Sequence, residues 1–171
     1  MRQHWEADEL VDHWTLTDED VQALRNKTGA TRLGLAVLLE FFEHEGRFPS
    51  GPADVPVEAV VFIAGQLGLS FTMLATYDWS GRSWKAHRAQ IRGRFGFRES
   101  NEADAEALTG WLTAEIWPEG PRREEAETAL LDRCRSQRLE PPSPGRRARI
   151  LNSSGRRFHE HFAATTLKRL P

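Results

Sequence analysis

Cysteine is almost missing from this sequence: Cys134 is the single one in 171 residues. One thiol excludes an internal disulfide and a cysteine-based zinc site, and it suits a reducing compartment. Long apolar runs are missing too, and no stretch approaches the roughly 20 apolar residues that a membrane-spanning helix needs. The N-terminus, Met1-Arg2-Gln3-His4-Trp5-Glu6, lacks the apolar core of a signal peptide. A cytoplasmic protein without membrane contact is expected. Catalytic patterns are equally scarce. There is no phosphate loop, no dinucleotide glycine pattern and no nucleophile elbow. His159 and His161 lie two positions apart, which sets them on different sides of a helix and spoils them as metal ligands. No catalytic residue, metal ligand or cofactor is expected, and the chain reads as a non-enzyme.

What is present is a soluble, globular composition: 39% hydrophobic and 28% charged residues, with six Trp and nine Phe to anchor a core. The length fits one domain, or one domain and the start of another. The formal net charge of -2 hides an uneven distribution. Acids dominate up to Glu58, and the basic side chains cluster after Trp79.

The periodicities predict helices throughout. Thr17 caps one, with Asp18, Glu19 and Asp20 at its positive end and Leu16 stapled onto Val21. The next begins near Thr31 and ends at Gly46; it is apolar nearly all round and belongs at the centre of the core. After the Gly- and Pro-rich loop 46–52, Pro56 opens a third. Asn101 caps a later helix that buries Leu108, Trp111 and Leu112, and Pro121 starts another that runs to about residue 138. The stretch Glu140-Pro141-Pro142-Ser143-Pro144-Gly145 reads as a linker. A basic helix with Leu151, Phe158 and Phe162 in one stripe follows and has little left to pack against. The expected organisation is a helical domain over 1–139, a linker over 140–145, and the start of a following region over 146–171. No strand is expected; the fold is all-α, a multi-helix bundle.

Ala64-Gly65-Gln66-Leu67-Gly68-Leu69-Ser70 has the small-residue, glycine and serine spacing of a helix-turn-helix element. The segment that would enter a major groove, 71–77, is mostly apolar, and only Thr72 and Thr76 could reach a base edge. The element is therefore read as scaffold, and the helix after it as the contacting one.

That helix lies within the island 79–98, which contains Arg82, Lys85, Arg88, Arg92, Arg94 and Arg98 and no Asp or Glu. Ser83 is a suitable cap for a helix starting at Trp84, and Gly96 can end it in the left-handed conformation. Trp84, Ile91 and Phe95 fall in one stripe, with Lys85, Arg88 and Arg92 beside it. Such a helix docks one face on a core and offers cations to a polyanion. The expected DNA-binding residues are Arg88 and Arg92, assisted by Arg82, Lys85, His87, Arg94 and Arg98. The competing reading is a solvated amphipathic helix on a protein-interaction domain.

Several motifs recur in one order. His13-Trp14-Thr15-Leu16, Lys27-Thr28-Gly29-Ala30-Thr31-Arg32-Leu33-Gly34 and Gly46-Arg47-Phe48-Pro49 come first. Val55-Pro56, Ala64-Gly65-Gln66-Leu67-Gly68, Tyr77-Asp78-Trp79-Ser80-Gly81-Arg82, His87-Arg88-Ala89-Gln90-Ile91-Arg92 and Gly96-Phe97-Arg98-Glu99 continue the series. With a looser extension through Trp111-Leu112 to Glu140-Pro141-Pro142 and the basic helix after it, they make nearly the whole chain resemble the N-terminal domain of Tn-three family replicative transposases. The resemblance implies recognition of double-stranded DNA at the terminal inverted repeats of a mobile element. Family members carry a metal-dependent carboxylate triad in a C-terminal ribonuclease-H-like domain, which these residues do not include. The resemblance is also compatible with a homodimer formed through a full-length transposase.

Overall fold

The structure, a computed structural model, describes residues 4–167. It falls into two compact units, Met1–Gly96 and Phe97–Pro171. The described residues are overwhelmingly helical, and the fold is all-α.

The first unit holds α1 (Ala7–Trp14), α2 (Asp18–Ala23), α3 (Gly29–Glu45), α4 (Val57–Leu67) and α5 (Arg82–Phe95). In α3 every residue from 33 to 42 is buried. A helix with no polar face over that distance must be surrounded, and α1, α4, α5 and a 3-10 segment (Phe71–Thr76) all pack on it. Gly46, at φ 64°, ends it in the left-handed region. Thr17 caps α2 in a reciprocal box: Asp20 N donates to Thr17 Oγ1 at 3.3 Å, and Thr17 N donates to Asp20 Oδ2 at 2.6 Å.

The glycine turn at Gly68 is present, but the segment after it is the 3-10 turn Phe71–Thr76 and not a second α-helix, so the helix-turn-helix expectation is corrected. The apolar residues that weakened a DNA-reading role explain this: Leu74 and Tyr77 are buried in the unit's core. Gln66, within the same motif, has a different task. Its Oε1 accepts from Leu16 N at 2.9 Å and its Nε2 donates to Trp14 O at 2.9 Å. One side-chain amide thus satisfies both sides of the α1–α2 corner.

The second unit holds β1 (Arg98–Glu99), α6 (Glu102–Trp111), α7 (Arg123–Ser136), β2 (Leu139–Glu140) and α8 (Pro144–Leu167). The two short strands were not expected; they pair in parallel, Arg98 opposite Leu139. Leu108, Leu112, Ala126, Leu130, Cys134, Leu139, Ile150 and Leu151 form the core. Burial pushes the Cys134 thiol up to about 12, so it is a packed, inert side chain.

The expected linker is corrected by this core. Leu139, Glu140, Pro141 and Pro142 are all buried. Prolines have no N–H to satisfy, so an extended Pro-Pro pair can be covered at little cost. Arg147, the residue that clamps it, donates to Pro142 O at 3.0 Å and to Glu127 Oε1 at 3.2 Å. The helix beyond packs on this unit through its first turns, since Ile150 and Leu151 complete the core. Its small residues seat Trp117: the indole Nε1 donates to the buried Ser154 Oγ at 2.8 Å, and Gly155 faces the same ring. The apolar stripe does not continue inward, because Phe162 is 61% exposed. Residues 168–171 of the expected basic helix lie outside the described residues.

Candidate nucleic-acid interface

The entry to α5 is built by Asp78. Its Oδ1 accepts from Ser80 N at 3.0 Å and from Gly81 N at 2.9 Å, which holds the carboxyl below its ordinary range. A Cβ at Gly81 would run into the Asp78 carboxyl, so any larger residue there must displace the group that builds this turn. Gly81, and not Ser83, is therefore the N-cap, and Arg82 and Ser83 sit in the first turn. Gly96, at φ 70°, ends the helix as expected and donates its N–H to Arg92 O.

Tertiary contacts divide the seven expected DNA-binding residues. His87 is corrected to a core residue, 2% exposed. Its ring stacks on Tyr77 at 5.7 Å, and its Nδ1 lies 2.7 Å from the Tyr77 hydroxyl. Burial, helped by the charge of Lys27, lowers its pKa to about 4. Burial raises the Tyr77 phenol, so the hydroxyl keeps its proton and shares a hydrogen bond with the neutral imidazole. A buried neutral ring offers no charge to a phosphate.

Arg94 is ion-paired within the unit: its Nη2 lies 2.8 Å from Oδ1 of the buried Asp20 and 3.7 Å from Glu19 Oε2. Arg98 lies past the end of the helix at Gly96, as expected. It belongs to β1 in the second unit, where it binds both oxygens of Asp104 at 2.7 Å. That pairing holds the Asp104 carboxyl at about 2.

Four cations remain on α5. Arg88 and Arg92 are half-buried. The Arg88 guanidinium lies over the rings of Phe48 and Trp84, at 5.1 and 5.4 Å from their centroids. Arg82 and Lys85 are exposed, and neither has an ion-pair partner among the described residues. At about 100° per residue, Arg82, Ala86, Ala89 and Gly93 form the outermost ridge, with Lys85 and Arg92 on one flank. Ala86, Ala89 and Gly93 are all exposed, and a Cβ at Gly93 would meet nothing within 4 Å. Charge does not mark this ridge in the sequence, although the spacing of its small residues is visible there. Nothing in the sequence pairs Lys27 with α5 either, where its charge acts on His87.

The arrangement is a low-profile helix surface, free of acids, edged by cations on a rigid scaffold. It can approach a backbone closely and form charge-assisted hydrogen bonds to anionic oxygens. The class so defined is an all-α chain whose first unit exposes a cationic helix. The chain belongs to the family described as "Domain of unknown function (DUF4158)", which matches residues 1–153. It is also similar to the transposase for transposon Tn3926 of Escherichia coli, at 29% identity over 93 residues, or 53% of this chain. The matched stretch is 9% of that transposase's length. The chain is thus transposase-related over about half its residues. Among the described residues no helix is long and apolar enough to cross a membrane, and no group of three or more His, Cys, Asp or Glu could hold a metal ion.

Proposed function

We propose that this chain binds double-stranded DNA at the terminal inverted repeats of a mobile element, as a non-catalytic part of a transposition apparatus in the cytoplasm. The observation that carries this reading is the exposed ridge of α5. Its small residues are needed by nothing inside the unit, while Arg82 and Lys85 stand free at its edge. The similarity to a transposase supports the same assignment. Arg82, Lys85, Arg88 and Arg92 are the proposed phosphate contacts. Among these, arginine is also the side chain best shaped to take both acceptors of a guanine. A second copy would join through the remainder of a longer transposase.

The test is a binding titration on inverted-repeat and scrambled duplexes at several salt concentrations. If four phosphates are met, log affinity should fall against log salt with a slope of roughly -3.6. A flat salt response, with self-association in its place, would favour an assembly domain. A steep response with equal affinity for both duplexes would keep DNA binding and remove specific recognition, since phosphates look alike along a duplex.

A further inference from the structure

Glu40 lies in the middle of α3, 4% exposed, and its Oε1 has no hydrogen-bond partner. Asp20, on α2, is buried to the same depth, at 1% exposure. One guanidinium serves both: Arg94 of α5 pairs with Asp20 at 2.8 Å, and its charge also acts on Glu40. Glu43, one turn along α3, adds further negative charge. The other helices packed on α3 bring His13 from α1 and Glu58 from α4, and both are engaged elsewhere. His13 packs on the His44 ring at 5.4 Å, and Glu58 lies 3.0 Å from His4.

Two buried carboxyls therefore share one partly exposed cation, the Arg94 side chain being 28% exposed. Asp20 Oδ2 has two donors, Thr17 N and the Thr17 hydroxyl, and its Oδ1 has the Arg94 charge 2.8 Å away but no hydrogen bond. Glu40 Oε1 has none. A second uncompensated carboxylate in that interior is costly, and the cheapest remedy is a proton. We infer that Glu40 is a proton-binding site: the folded unit keeps its carboxyl neutral, and loss of that proton loosens the Arg94–Asp20 tie that fixes the end of α5 to α2. An ionised Glu40 competes with Asp20 for the one guanidinium, so the last turn of α5 is the part released. Burial chiefly, with the charges of Asp20 and Glu43, raises the Glu40 carboxyl to about 8, which brings the switch near neutral pH. Where α5 meets DNA, a consequence that rests on the function proposed above, the same proton sets the alkaline limit of binding.

The sign follows from linkage. The folded carboxyl holds its proton more tightly than the unfolded one, so the penalty is absent below the ordinary value of 4.5, grows up to about 8 and is constant above it. Denaturant unfolding of the parent and Glu40→Gln across that range tests this. The folding equilibrium constant of the variant should gain on the parent's by about tenfold per pH unit, and the gain should level off above pH 8. The Glu40 side-chain carboxyl carbon should titrate with its midpoint well above the ordinary carboxyl value. Hydrogen exchange at the last turn of α5, corrected for intrinsic alkaline acceleration, should rise above pH 8 in the parent only. A constant stability ratio, an ordinary carboxyl midpoint, or equal exchange in both proteins would overturn the inference. So would a Glu40→Gln chain that fails to fold, since the amide is the neutral isostere. None of these measurements uses DNA, so failure of the DNA reading and failure of this one are separable.

Discussion

The Cα of Gly34 faces the ring of Tyr77 so closely that a methyl group there would come within 2.4 Å of Cδ2. This contact sets how near the 3-10 segment lies to α3, and through the Tyr77 hydroxyl it positions His87 on α5. Gly34→Ala should therefore destabilise the first unit, although alanine is the better helix former. Overpacking of this kind costs typically 1–3 kcal/mol, about 2 here. Chemical denaturation measures it, and an unchanged midpoint would mean that the ring stands further away.

The neutral His87 makes a second prediction. Its folded pKa, about 4, lies below the unfolded value of 6.5, so the unfolded chain takes up the proton first as pH falls. The stabilising effect is complete above pH 6.5 and is lost progressively down to about 4, reaching roughly 3 kcal/mol. Melts of the parent and His87→Gln over this range should converge on acidification. Parallel curves would place a charged imidazole in the fold.

The cations of α5 should separate into two kinds. Replacing Arg82 and Lys85 with Ala should weaken DNA binding, flatten the salt slope by about 1.8, and leave the melt within about 0.5 kcal/mol of the parent. Arg94→Ala should do the reverse, costing roughly 3 kcal/mol because Asp20 stays buried without its partner. Affinity loss from Arg94→Ala in a fully folded protein would return that residue to the interface.

Gly93 separates stability from function most cleanly. It sits inside α5 with open space around it, so Gly93→Ala should stabilise the helix by up to about 1 kcal/mol. Gly93→Leu should fold equally well, yet lower DNA affinity by thickening the ridge. Unchanged affinity for the leucine variant would show that this ridge does not lie against the duplex.

The sequence by itself determined the features governed by short range. Thr17 and Asn101 cap their helices, and Gly46 and Gly96 end theirs in the left-handed region, because these choices depend on residues a few positions away. The unbroken apolar face of α3 likewise made it central. Tertiary structure decided which charges are available. Arg94 is lost to Asp20, a residue in another helix far back in the chain, and Arg98 is lost to Asp104. His87 is neutral because burial, helped by the charge of Lys27, disfavours its proton, and Leu139 is core because Ile150 and Leu151 pack in the same cluster. Periodicity shows that a side chain faces inward or outward. It cannot show which distant group meets that side chain there, and in a low-dielectric interior that partner fixes both its charge and its role.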